Sequence, residues 1–102
     1  MWIFAKDGFV SIVQKEGAFM ARGRNKKHLQ ALFPGLKVIT TPAADYRFRV
    51  ILDQEAFTAF MLTLSTSVDY PNFKNSVNDK SYHNALADVW GTMWRYQTRH
   101  EK

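Results

Sequence analysis

Seven consecutive residues, Arg22-Gly23-Arg24-Asn25-Lys26-Lys27-His28, hold four of the chain's fourteen lysine and arginine side chains. They fall where a strand pattern gives way to a helix pattern. A helix N-terminus already carries a positive field, so lysines there cost about 0.3 to 1 kcal/mol per charge unless an anion sits nearby. Arg47 and Arg49 alternate with apolar residues along a second predicted strand. If the two strands are neighbours, Arg22, Arg24, Lys26, Lys27, His28, Arg47 and Arg49 make one basic patch suited to phosphate groups. Trp2, Phe9 and Phe19 would add base stacking if they share an open sheet face with it. The plainer account of Arg47 and Arg49 is a solvated strand face, and of the aromatics a core.

Other chemistries find little support. His28, His83 and His100 lie on separate predicted elements without the spacing of a metal site. Asp79 and His83 are four apart on a predicted helix, a spacing that serves capping or a surface ion pair as readily as a dyad. No Gly-x-Ser-x-Gly elbow, dinucleotide fingerprint or phosphate-binding loop occurs among the five glycines. With no cysteine, disulfides, thiolate metal sites and cysteine nucleophiles are excluded together. The expectation is a non-enzymatic binding module without metal or cofactor.

The elements that would position the patch are legible from periodicity and punctuation. Trp2 to Lys6 and Phe9 to Gln14 are β-rich runs around Asp7-Gly8, a hairpin signal. Lys15-Glu16-Gly17 leads to a third antiparallel strand, Ala18 to Arg22, ended by Gly23. Asn25 caps a predicted helix from Lys26 to Phe33, with Leu29, Leu32 and Phe33 on one side and Pro34-Gly35 as its stop. A strand follows over Lys37 to Thr41. The alternation of Tyr46 to Leu52 then places Tyr46, Phe48, Val50 and Leu52 on one face and Arg47, Arg49 and Ile51 on the other.

Asp53 caps a predicted helix to about Ser65 that presents Phe57, Phe60, Met61 and Leu64 to the core. Ser65 to Asn78 is a turn-rich connector with an aromatic–proline bond open to the cis form. A last helix, Asp79 to Arg99, shows a stripe of Tyr82, Leu86, Val89, Met93 and Tyr96, read as core. Trp90 and Trp94 widen it, so the helix is either deeply docked or exposes aromatic surface for a partner, of which a homodimer is the simplest. The order β-β-β-α-β-β-α-α predicts an α+β fold, with helices on one face of a mostly antiparallel sheet, ferredoxin-like or a similar two-layer sandwich.

At 102 residues the chain is expected to form a single domain, and 46% hydrophobic residues exclude intrinsic disorder. Residues 1 to 50 hold nine basic and three acidic side chains against five and six in the remainder, so the net charge of +5 belongs to the first half. A positive half attracts nucleic acid, acidic protein surfaces or anionic membranes alike, and composition does not choose among them; the expected partner is nucleic acid or an acidic protein, with no membrane. No apolar run approaches a membrane span, and the opening Met1-Trp2-Ile3-Phe4 lacks the features of a signal peptide, giving a cytoplasmic expectation.

Met1-Trp2-Ile3-Phe4, Asp45-Tyr46-Arg47-Phe48-Arg49-Val50, Asp69-Tyr70-Pro71-Asn72-Phe73-Lys74 and Tyr82-His83-Asn84-Ala85-Leu86 with Val89-Trp90 together resemble a family of small uncharacterised bacterial proteins. The resemblance spans nearly the whole chain and implies a stand-alone cytoplasmic domain, with no activity or site residues to carry over. It adds Asp69, Tyr70, Asn72, Tyr82 and His83 as a candidate functional loop and helix start.

Overall fold

Alternating β-branched and aromatic residues build the first three strands as a meander, β1 (Trp2–Ala5), β2 (Gly8–Lys15) and β3 (Ala18–Gly23). The computed structural model describes residues 1–101 and contains two compact units, one spanning Met1–Asp69 and one beginning at Tyr70. In the first hairpin Ala5 pairs with Gly8, so Lys6 and Asp7 form the turn and Gly8 opens β2. The turn thus lies one residue earlier than the Asp7-Gly8 signal implied. Gly8 has φ +152°, and a Cβ there would stand 2.4 Å from His28 Cβ, so only glycine fits this ladder position. In the second hairpin Glu16 (φ 52°) and Gly17 (φ 80°) supply the two positive φ values that match a two-residue turn to strand twist.

Helix α1 (Lys26–Leu32) starts at Asn25, whose side chain accepts from the Lys27 N–H. Strand β4 is only Ile39–Thr40, shorter than predicted. Strand β5 is Phe48–Leu52, starting two residues later than predicted. There Asp45 Oδ1 accepts from the Tyr46 N–H at 2.8 Å, a local bond that competes with the ladder and holds Tyr46 outside it. Helix α2 (Gln54–Thr66) begins at Asp53, which accepts from the Ala56 N–H at 2.8 Å.

The sheet is antiparallel in the order β1-β2-β3-β5-β4. That order does not confirm the ferredoxin-like arrangement, while the α+β class stands. One face carries Val10, Ile12, Ala21, Val50 and Leu52, buried together with Leu29 and Phe33 from the α1 segment and Phe60 of α2. Burying a side chain of this size stabilises by about 1.5 to 3 kcal/mol, which makes this layer the main source of cohesion in the first unit. The aromatic pairs Phe19–Phe57 (4.5 Å) and Phe33–Phe60 (4.4 Å) bind α2 to it.

In the second unit a 3-10 turn (Lys74–Ser76) precedes α3 (Lys80–His100), which is capped by Asp79 through the Ser81 N–H. The Tyr70-Pro71 bond is trans, as no cis peptide occurs among the described residues. Tyr82 and Leu86 are buried, but Val89, Met93 and Tyr96 are exposed, and so are Trp90 (59%) and Trp94 (55%). The predicted core stripe is therefore core only in its first third. The helix is about 30 Å long at 1.5 Å per residue, and no residue from Ala87 to His100 is buried. No helix among the described residues is long and apolar enough to cross a membrane.

Candidate anion site on the sheet

Register brings two of the predicted arginines into direct contact range. β3 and β5 are neighbours, and Arg22 pairs with Arg49. Directly opposed residues of antiparallel strands share a face, and like charges so placed are destabilising by a few tenths to about 1 kcal/mol. The same row continues through Ser11 and Trp2 on one side and Ile39 on the other. It lies on the face away from Val10, Ala21 and Val50, hence away from α1 and α2.

Tyr46 organises the cluster. The guanidinium carbons of Arg22 and Arg24 lie 4.6 Å and 4.2 Å from its ring centroid. Arg49 Nε donates to the Tyr46 carbonyl at 3.5 Å, and its Nη1 lies 3.6 Å from Met20 Sδ. Tyr46 is buried, yet not in the hydrophobic cluster with Phe48, Val50 and Leu52. The predicted shared face therefore fails at this residue, because it stands before the strand rather than in it. Ser11, 1% exposed in the middle of an apolar strand, accepts from Arg22 Nη2 at 2.9 Å.

Among the described residues no carboxylate pairs with these three arginines. Arg24 Nη1 donates to the main-chain carbonyl of Asp45 at 2.9 Å, while the Asp45 carboxylate is engaged by the Tyr46 N–H. Among the described residues the ion pair is Lys6–Asp69, both exposed. Arg22 Nε is buried and has no hydrogen-bond partner. A buried guanidinium N–H without an acceptor costs about 1 to 3 kcal/mol relative to a satisfied one.

The remaining predicted residues divide. Arg47 is exposed beside the row. Lys26 and Lys27 are exposed on α1, which packs on the opposite sheet face through Leu29. His28 has a structural role: its Nδ1 accepts from the Phe9 N–H at 3.2 Å, and its Cβ closes over Gly8. The expected single patch is thus an arginine cluster on one face and a lysine pair on an element of the other. Trp2 is 70% exposed and meets Phe9 edge-on at 6.4 Å, on the arginine face. Phe19 lies on the packed face instead.

The candidate loop is held mainly by local bonds. Asn72 Oδ1 accepts from the Asn75 N–H, Tyr70 and Phe73 rings lie 5.5 Å apart, and Lys74 Nζ is 5.6 Å from the Trp90 ring. His83 Nδ1 donates to the Lys74 carbonyl at 2.6 Å, so that nitrogen is occupied and Asp79 serves as a cap. Asp69 faces Lys6 at 3.7 Å on the wall of a shallow cleft of about 270 Å³ lined also by Leu32, Phe60 and Leu64. None of the seven basic residues lines that cleft. No group of three or more metal-ligating side chains gathers among the described residues.

Sequence reasoning missed Tyr46 as the organising ring and Ser11 as the anchor of Arg22. The signal for Ser11 was present: one hydroxyl inside Phe9-Val10-Ser11-Ile12-Val13 asks for a partner. No protein-family model, no curated protein and no solved structure matches this chain.

Proposed function

We propose that this protein is a non-enzymatic binding module whose Arg22, Arg24 and Arg49 engage an anionic partner, with single-stranded nucleic acid the partner that suits the surface best. The observation that carries the reading is the like-charged cluster around Tyr46, with no carboxylate among the described residues paired to any of the three arginines. A folded protein tolerates such a cluster at a cost that a bound phosphate removes. Trp2, exposed in the same register row, adds a stacking surface, and a base stacked on an aromatic side chain contributes about 1 to 3 kcal/mol. Exposed Lys26, Lys27 and Arg47 strengthen the field that draws an anionic strand in. A cytoplasmic location belongs to the same reading and accords with the cysteine-free chain.

Fluorescence anisotropy of labelled single- and double-stranded oligonucleotides over a range of salt concentrations tests it. The expected result is preference for single strands, with log K falling against log salt by about 0.7 per phosphate contacted. Arg22→Ala, Arg24→Ala and Arg49→Ala each reduce that slope, whereas Trp2→Ala lowers affinity without changing it. Binding that is absent at low salt, or indifferent to the arginines, overturns the reading. A second reading, protein interaction through α3, is favoured by the exposure of Trp90, Met93 and Trp94.

A further inference from the structure

We infer that the exposed apolar side of α3 is a self-association surface, occupied by the α3 of a second copy of this chain. Tyr82, Leu86, Val89, Met93 and Tyr96 recur at intervals of four, three, four and three, and His100 follows at four. That is a seven-residue repeat, the period of two helices wound on one another rather than of a helix lying on a sheet. The first two positions are buried; the rest of the seam is open to solvent for the last half of the helix.

The chemistry beside the seam fits an identical partner. The residues flanking it are His83, Trp90 and Gln97 on one side and Ala85, Thr92 and Arg99 on the other. Helices that choose a different partner, or avoid themselves, carry opposed charges at these positions. Here Arg99, near the helix end, is the one formal charge among the six, while Asp88 and Arg95 lie on the outer side. Two copies therefore meet along Val89 to Tyr96 without opposing like charges carried by α3 itself, and the Lys74 ammonium, 5.6 Å from the Trp90 ring, stands at the margin of the seam.

The area suits a weak, reversible pair. Half-exposed side chains of this size present about 100 Å² each, so Val89, Trp90, Met93 and Tyr96 offer about 400 Å² per copy. Pairing buries on the order of 800 Å², below the roughly 1,200 Å² of a stable interface and within the range of a transient one. A two-fold pair uses the same patch on both copies, which one helix face can supply.

Sedimentation equilibrium of the full chain from low micromolar to submillimolar concentration tests this. A monomer–dimer equilibrium is expected for the unaltered chain. Met93→Glu, which opposes a carboxylate to its own copy inside the seam, weakens dimerisation by about 10- to 100-fold, and Arg95→Glu on the outer side leaves it unchanged. Trp90→Ala, at an exposed flanking position, weakens it by about tenfold and guards against a folding defect in Met93→Glu, with far-UV circular dichroism of each variant as the fold check. A chain that stays monomeric throughout the range, or a dimer constant untouched by both Met93→Glu and Trp90→Ala, overturns the inference.

Discussion

Helices α2 and α3 carry the same sequence signal and meet different fates. Each begins at an aspartate cap, and each repeats large apolar residues at intervals of three and four. On α2 the pattern is consumed within the first unit, where Phe60 is buried and Phe57, Met61 and Leu64 pack against the same cluster. On α3 burial ends at Leu86 and the pattern runs on into solvent. Periodicity reports that a helix side favours cover over water; it does not report which molecule supplies the cover.

The comparison can be sharpened by substitution. Phe60→Ala removes a ring stacked on Phe33 and should cost about 3 to 5 kcal/mol in denaturant unfolding. Leu86→Ala, in the buried third of α3, should cost about 2 to 3 kcal/mol by the same measurement. The caps should behave alike, Asp53→Ala and Asp79→Ala each losing about 1 kcal/mol, because each frees a first-turn N–H. Met93→Ala should change unfolding by less than about 0.5 kcal/mol at low concentration, where no second copy covers it. A Met93→Ala cost as large as that of Phe60→Ala under those conditions would break the contrast between the two helices.

Much of the fold was legible because it is local. Asn25 and Asp53 cap the helices that they announced, Asp79 caps the last helix where its first residue was expected, and Glu16-Gly17 turns the chain as its composition implied. What was illegible depends on contacts between distant segments. Alternation assigns Arg49 to a face, yet only the pairing of β3 with β5 sets it opposite Arg22. Tyr46 fits the alternation of β5 by count, but the Asp45 side chain takes its N–H and releases it from the ladder. Likewise His28 belonged to a basic run by sequence, and its ring is committed to the Phe9 N–H by tertiary packing. The exposure of Trp90 and Trp94 follows from where burial stops along α3, which no periodicity encodes.

The Arg22–Arg49 row has a consequence for how the chain finds its fold. Side chains of a strand alternate between faces, so a slip of β5 by one residue against β3 would turn Arg49 toward Leu29 and Phe33 and send Val50 outward. Burying an unpaired guanidinium in that layer costs several kcal/mol, far more than the few tenths to about 1 kcal/mol that the opposed arginines cost in the native register. The arginines thereby proofread the pairing of β5 with β3, rejecting the misaligned sheet whether or not an anion is ever bound.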